Sequence, residues 1–239
     1  MRLEGKVAVI VGGEGPLGRE VTKAFLSEGA ELIIGWYTQG DWDDAQKLIP
    51  RTYKGQFIDV YVDATKEDQV KNLIEKTLDA FGSLDIMIHM VGIFHAGEMV
   101  WETDLDVFEK LVETNLKSAF LCAKHAIRSM LGKGRGRILF FPGKLPFEPK
   151  PGFGANAISK AGMYTLVLAL REELKDTNIT VNAVMPSIID TWKTRKIHPE
   201  LARAGKMVNP SDIARLLCRI CAEDSDALNG SILKVFGKL

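Results

Sequence analysis

Short apolar runs alternate with longer amphipathic stretches along the whole chain. Several of the runs are apolar almost throughout, which is typical of strands in a sheet covered on both faces. The seven predicted strands lie at 6–11, 31–36, 57–62, 85–90, 137–141, 179–185 and 231–236. Between them the apolar residues recur at helical spacing, as at Val70, Leu73 and Ile74. The predicted helices begin near Pro16 and cover 66–81, 104–131, 155–175 and 210–223.

Alternation of strands and helices predicts an α/β fold with an open, doubly wound parallel sheet. No repeat or low-complexity linker divides the chain, so we expect a single domain over residues 1–239. Ligands of such sheets bind beyond the carboxyl ends of the strands, near the point where the strand order reverses. Ligand-binding and catalytic residues are therefore expected in the loops that follow the strands.

Charge and composition exclude several classes of partner. Lys plus Arg is 31 and Asp plus Glu is 31, so no net charge attracts nucleic acid or an anionic membrane. The apolar runs are far too short to span a bilayer, and three cysteines are too few for a disulfide framework. The first residues enter a strand without an apolar leader. We expect a soluble, cytoplasmic protein without a nucleic-acid or membrane partner.

A glycine-rich loop at 12–18 joins the first strand to the first helix. Glycines let the backbone approach a pyrophosphate, and a helix N-terminus offers free N–H groups and a positive dipole end. However, Glu14 puts a negative charge where a phosphate would lie, and Pro16 has no N–H to donate. The loop alone leaves two interpretations open, a dinucleotide site and a tight turn without a ligand.

Ordered motifs over nearly the whole chain resemble those of the short-chain dehydrogenase/reductase family. They are VGGEGPLG at 11–18, Asp63 before the adenine-contacting loop, HMVG at 89–92, Asn115, NAISK at 156–160, PSIIDT at 186–191 and NGSILKVFG at 229–237. In the family these correspond to Thr-Gly-x-x-x-Gly-x-Gly, an Asp, Asn-Asn-Ala-Gly, a helix Asn, Tyr-x-x-x-Lys, Pro-Gly-x-x-x-Thr and the closing strand. The resemblance implies a Rossmann-like fold and an NAD(P)-linked oxidoreductase.

The resemblance also implies which residues contact NAD or NADP. They are Gly12, Gly15, Leu17, Gly18, Asp63, Ala64, Gly92, Lys160, Ile189 and Thr191. Neither cofactor is favoured, because Trp36 and Tyr37 stand where an Asp or a basic residue would choose between them. These two rings either stack on the adenine or cover the sheet edge. With Glu14 facing a phosphate, we expect weak binding or none, and tighter binding after Glu14→Ser.

The catalytic positions of the family are only half retained. In the family a Ser polarises the carbonyl, a Tyr donates the proton, a Lys lowers the pKa of that Tyr, and an Asn continues the proton relay. The retained residues are Asn115 and Lys160, whereas Gly143 occupies the Ser position and Asn156 the Tyr position. An amide cannot shuttle a proton near neutral pH. The standard hydride-transfer chemistry is therefore not expected.

Neighbouring side chains offer no clear replacement. Tyr164 lies one turn beyond Lys160, away from the substrate, and Ser159 is expected to face elsewhere on the helix. Retention of Asn115 fits a structural role as well as a catalytic one. Lys160 needs a partner, either a cofactor ribose or Asn156 one turn earlier.

We expect no metal site. His89, His95 and Glu98 lack tight ligand spacing. Cys218 and Cys221 lie late in a helix, where small buried residues are the simpler interpretation.

Two functions from different classes remain. One is an enzyme that binds NAD(P) and acts on a small carbonyl or alcohol through non-standard groups. The other is a pseudoenzyme that serves as a structural, regulatory or partner subunit. The segment after Thr191 shows no pattern that identifies a substrate.

The apolar stripes of helices 104–131 and 155–175 exceed what one sheet face needs, and the resemblance implies that these helices form a dimer interface. We expect a homodimer or a homotetramer. Light scattering at micromolar protein concentration measures the mass directly, and a monomer mass would contradict this prediction.

Overall fold

The computed structural model describes residues 1–222 and 227–238. Within these residues seven parallel strands form one sheet in the order β3-β2-β1-β4-β5-β6-β7. The strands are β1 Val7–Val11, β2 Glu31–Trp36, β3 Phe57–Tyr61, β4 Ile86–His89, β5 Arg135–Phe140, β6 Asn178–Pro186 and β7 Ile232–Val235. The strand order reverses at β1, which pairs with β2 on one side and β4 on the other. The predicted seven-stranded, doubly wound parallel sheet is confirmed.

Burial differs between the centre and the edge of the sheet. All five residues of β1 are buried, as their uniformly apolar sequence predicts. At the edge strand β3 only Val60 is buried, while Ile58 and Tyr61 are exposed. The strands covered on both faces therefore lie at the centre of the sheet, and the edge strand β3 is not one of them.

Helices cover both faces of the sheet. They are α1 Pro16–Ser27, α2 Gln39–Gln46, α3 Glu67–Phe81, α4 Leu105–Leu111, α5 Ser118–Lys133, α6 Gly154–Glu173, α7 Trp192–Ile197, α8 Pro199–Arg203 and α9 Pro210–Ile220. The predicted helix 210–223 ends at Ile220, and position 223 lies outside the described residues. The sequence did not predict α2, α7 or α8, which are too short for a periodic pattern to separate them from loops. None of the helices in the described part of the chain has the length and hydrophobicity to cross a membrane.

Alternate residues of β1 face two hydrophobic cores. Val9 packs in a cluster with residues of α3, α5 and α6, whereas Ile10 packs in a cluster with Phe25 of α1 and Ile213 of α9. This arrangement follows from the two-residue period of a strand. Helices therefore pack on both faces of the sheet, and loops lie at the carboxyl ends of its strands.

The predicted helix 104–131 is interrupted. Between α4 and α5 the chain forms a π-helical turn at Val112–Lys117, in which Thr114 and Asn115 are buried. A π-turn contains an extra residue and shifts the direction of the side chains that follow, and such turns are frequent at functional sites. The apolar spacing on either side is helical, so the pattern does not reveal the interruption.

Packing alone accounts for much of the glycine loop. Gly12 has φ +90°, and a Cβ there would lie 3.1 Å from the backbone of Met90. A Cβ on Gly18 would lie 2.4 Å from the carbonyl oxygen of Gly12 and 2.7 Å from Cα of Gly13. The first turn of α1 therefore packs directly on the strand-to-helix turn.

We expect Gly18→Ala to lower the free energy of unfolding by about 1–3 kcal/mol or more, because the added methyl group meets backbone that cannot move aside. A matched control is Gly132→Ala in α5, where a Cβ meets nothing within 4 Å. That change should raise stability by up to about 1 kcal/mol through helix propensity. Urea denaturation measures both effects, and equal effects of the two substitutions would contradict the packing argument.

Candidate functional site

The centre of the candidate site is the side chain of Asn115, which is fully buried in the π-helical turn. Its Oδ1 accepts a hydrogen bond from Ile93 N at 2.9 Å, and its Nδ2 donates to Ile93 O at 3.2 Å. Nδ2 also donates to Ser159 Oγ at 3.0 Å. Asn115 therefore joins the segment after β4 to α6, as a structural role requires.

Gly92, Asn115 and Lys160 lie together, as the motifs implied. A Cβ on Gly92 would lie 3.0 Å from Lys160 Nζ and 3.1 Å from Asn115 Oδ1. The Lys160 ammonium donates to the carbonyl oxygen of Phe141, after β5, at 3.3 Å. Burial lowers the pKa of Lys160 from its usual 10.5 to about 8. The protein partner of Lys160 is thus a backbone carbonyl, and the suggestion that Asn156 is its partner is wrong.

Asn156, which the resemblance aligns with the family's Tyr, is 1% exposed. Its Oδ1 accepts from His95 N at 3.3 Å, and its Nδ2 has no hydrogen-bond partner among the described residues. Ser159 Oγ donates to the carbonyl oxygen of Asn156 at 3.0 Å while it accepts from Asn115. The expectation that Ser159 faces elsewhere is therefore wrong. Ser159 is three residues from Asn156, and this spacing places both residues on one side of the helix. The spacing alone therefore predicts that Ser159 lies near the site.

Gly143, which the resemblance aligns with the family's Ser, lies two residues after Phe141. Its φ is +70°, and a Cβ there would meet nothing within 4 Å. A side chain has room at this position, but the backbone conformation disfavours one. Tyr164 packs edge-on against Phe147 with ring centroids 4.9 Å apart, in line with the packing role expected for it.

His89, which ends β4, is a buried polar residue to which the sequence assigned no role. Its Nε2 lies 2.8 Å from Ser118 Oγ, and its Nδ1 has no partner in the described structure. Burial lowers the pKa of His89 to about 3, and the charge of Lys160 acts in the same direction. The imidazole is therefore neutral beside the Lys160 ammonium.

The cofactor side of the site begins at α1, whose N-terminus has no side-chain cap. Its first-turn N–H groups are therefore open to a ligand, apart from Pro16, which has none. Counted position by position, the second glycine of the family pattern falls on Pro16, so Gly15 is not one of the pattern's glycines. Leu17 and Gly18 follow in the pattern's register.

The position of Glu14 differs from the expectation. Its Oε1 accepts a hydrogen bond from Tyr37 N at 3.0 Å, just after β2, and its Oε2 is buried without a partner among the described residues. The side chain therefore extends from the glycine loop to the carboxyl end of β2. This geometry does not support the expectation that the charge of Glu14 opposes a pyrophosphate. It therefore gives no reason to expect tighter binding after Glu14→Ser.

Four further predicted contacts lie on loops at the same edge of the sheet. Asp63 Oδ1 accepts from Thr65 N at 2.9 Å and Thr65 Oγ1 at 2.7 Å. Burial raises the pKa of Asp63, but these two hydrogen bonds together with the charges of Lys66 and Lys110 hold that pKa below its usual value. Ala64 beside it is buried. Ile189 forms a bridge with Val208, and Thr191 caps α7 by accepting from Thr194 N at 3.2 Å.

The histidine and cysteine side chains considered as metal ligands have other surroundings. No group of three or more His, Cys, Asp or Glu residues that could hold a metal occurs within residues 1–222 and 227–238. His95 instead contacts Glu98 at 3.1 Å, away from the Ser118-bonded His89. Cys218 and Cys221 are buried free thiols, and burial raises the pKa of both.

Comparison with known proteins agrees with this architecture. The chain is 29% identical to the 3-oxoacyl-(acyl-carrier-protein) reductase FabG of Thermotoga maritima, over 100% of this chain and 99% of that protein. It is also 29% identical to the chloroplastic NADPH-dependent aldehyde reductase-like protein of Arabidopsis thaliana, over 98% of this chain and 94% of that protein.

Structural similarity extends over the same length. The crystal structure of a dehydrogenase/reductase from Sinorhizobium meliloti 1021 has a TM-score of 0.86 and 25% identity, covering 99% of this chain and 95% of that chain. The family profile described as short chain dehydrogenase matches residues 6–202. The chain therefore belongs to the short-chain dehydrogenase/reductase family of oxidoreductases.

Proposed function

We propose that this protein binds NAD or NADP at the carboxyl edge of its sheet but does not use the Ser and Tyr chemistry of its family. The observation behind the proposal is the buried Asn156, one turn before Lys160 on α6, whose amide has no proton to give near neutral pH. Gly143 likewise lacks the hydroxyl that would polarise a carbonyl. The substrate class we propose is a small carbonyl or alcohol.

The chain's own residues fit a dinucleotide. The uncapped N-terminus of α1 suits a pyrophosphate, and the absence of a Cβ at Gly92 leaves the backbone close to Lys160. When bound, the dinucleotide would supply or accept the hydride. Lys160 would then hold a ribose hydroxyl, and the unpartnered Nδ2 of Asn156 would donate a hydrogen bond to a substrate oxygen.

The second candidate is a pseudoenzyme that acts as a structural, regulatory or partner subunit. One observation favours it: every polar atom of Asn115 is engaged by Ile93 or Ser159, so the fold alone accounts for the retention of Asn115. Association through α5 and α6 into a homodimer or homotetramer forms part of both proposals. Phe120 of α5 is 51% exposed and Ile158 of α6 is 49% exposed, which fits such an interface.

Dinucleotide binding can be tested by the shift in melting temperature with NAD, NADH, NADP and NADPH. A ligand at 100 times its dissociation constant stabilises the folded protein by about 2.7 kcal/mol. We expect at least one of the four to raise the melting temperature, and Lys160→Met to reduce that rise. A melting temperature that none of the four changes at millimolar concentration would contradict dinucleotide binding and would favour the pseudoenzyme.

Catalysis can be tested by restoring both missing groups. We expect no appreciable turnover of simple ketones or alcohols by the natural chain, and measurable hydride transfer by Gly143→Ser with Asn156→Tyr. A positioned acid contributes about 10²–10⁴ in rate. The Ser must adopt a φ of +70°, at a cost of about 1–2 kcal/mol.

A matched control is Gly143→Ala with Asn156→Phe, which has the same backbone strain and ring volume but neither hydroxyl. Absorbance of the reduced nicotinamide measures the rate, and thermal melting shows whether each variant folds. Turnover by the natural chain at rates that the restored hydroxyls do not improve would show that another group acts as the acid.

A further inference from the structure

The carboxylate of Glu14 lies at the carboxyl end of β2, although the residue belongs to the glycine loop. The hydrogen bond from Tyr37 N to its Oε1, 3.0 Å long, spans 23 residues of sequence. The last residues of β2 and the position after it, Gly35, Trp36 and Tyr37, provide no acid of their own. Glu14 thus provides a negative charge that the carboxyl end of the second strand lacks.

An acid at this place has a known chemical use in dinucleotide-binding sheets. Its oxygens accept hydrogen bonds from the vicinal hydroxyls of the adenosine ribose of NAD. NADP has a phosphate on one of those hydroxyls, so a carboxylate there loses a donor and meets an anion. A carboxylate at this place therefore favours binding of NAD and disfavours binding of NADP.

The second oxygen of Glu14 strengthens this argument. Oε2 is shielded from water and accepts no hydrogen bond from the described residues. A buried charged oxygen without a donor is costly, and such atoms are rare in folded proteins. A ribose hydroxyl is a donor of the required kind, whereas a phosphate oxygen is not.

The cation that contacts the glycine loop, Arg19, is engaged by groups other than the Glu14 carboxylate. Arg19 Nε donates to the carbonyl oxygen of Glu14 at 2.9 Å, and its Nη2 donates to the carbonyl oxygen of Asp41 at 2.8 Å. Its guanidinium also lies 3.7 Å from the Asp41 carboxylate, which Lys193 approaches to 3.5 Å. Arg19 is thus held by the backbone and by Asp41 and is not presented to a 2′-phosphate.

The aromatic residues beside Glu14 divide into two roles. Trp36 stacks on Trp42 with centroids 6.1 Å apart and donates to Asp59 Oδ2 at 2.9 Å, so it covers the sheet edge. Tyr37 is 55% exposed and stacks with Tyr61. The Tyr37 ring therefore offers a flat face to an adenine next to the Glu14 carboxylate.

We propose that Glu14 makes this protein selective for NAD(H) over NADP(H), its carboxylate binding the adenosine ribose hydroxyls and repelling a 2′-phosphate. This inference rests on the dinucleotide binding of the proposed function. It adds the identity of the cofactor and the residue that determines it.

Calorimetric titration with NADH and NADPH tests the inference on the natural chain and on Glu14→Gln. Glutamine keeps an oxygen that can accept from Tyr37 N but removes the charge. We expect the natural chain to bind NADH at least about tenfold more tightly than NADPH, because like charges placed together at a binding site weaken association strongly. In Glu14→Gln that ratio should fall to about threefold or less, mainly through tighter binding of NADPH.

Asp44→Asn is the matched control, because it removes one negative charge from the adjacent α2, where Asp44 pairs with Lys47 at the surface. It should leave the ratio unchanged. A natural chain that binds NADPH as tightly as NADH, or a ratio that Glu14→Gln does not alter, would overturn the inference while dinucleotide binding stands. Binding of neither dinucleotide to the natural chain would overturn both proposals together.

Discussion

The site depends on one constraint, the need to satisfy backbone groups beyond the end of a central strand. After β4 the chain leaves the sheet, and Ile93 loses the strand partners that would bind its N–H and C=O. The buried amide of Asn115 supplies both hydrogen bonds and a third to Ser159. This amide and Lys160 Nζ both approach the backbone at Gly92, where a Cβ would lie 3.1 Å from Asn115 Oδ1 and 3.0 Å from Nζ. The turn after β4, the π-helical turn and α6 are consequently held in one geometry.

The strands and long helices could be predicted because burial leaves a direct trace in the sequence. Runs such as 7–11 and 31–36 are apolar because both faces of the central sheet are covered. Edge strand β3 keeps an apolar sequence while much of its surface is exposed, so the pattern overstated its burial. The π-helical turn could not be predicted, since it changes the hydrogen-bonding of the helix without changing the spacing of its apolar residues. The short helices α2, α7 and α8 hold too few residues for a period to appear.

For the site, the motifs indicate residues that lie close together in sequence. They do not indicate contacts between side chains of different segments. Gly92, Asn115 and Lys160 come together as implied, because each occupies a fixed place on an element whose position the fold sets. Glu14 illustrates the opposite case. Its own loop suggests that it opposes a phosphate, but its side chain reaches Tyr37 just after β2, and the pairing of β2 with β1 brings them together.

The charge of Lys160 is held in a desolvated environment. Its side chain is half-buried, its ammonium donates to one carbonyl, and desolvation lowers its pKa to about 8. The unfolded chain keeps this proton up to about pH 10.5, whereas the folded chain releases it near pH 8, so folding gains stability as the pH rises through that interval. Near neutral pH the charged ammonium of Lys160 therefore lowers the stability of the folded protein. Hydroxyl groups of a bound ribose would give the ammonium acceptors that Phe141 alone does not, and would raise its pKa. An apolar side chain would fill the same space without the desolvation cost, so packing alone does not account for a cation at this position.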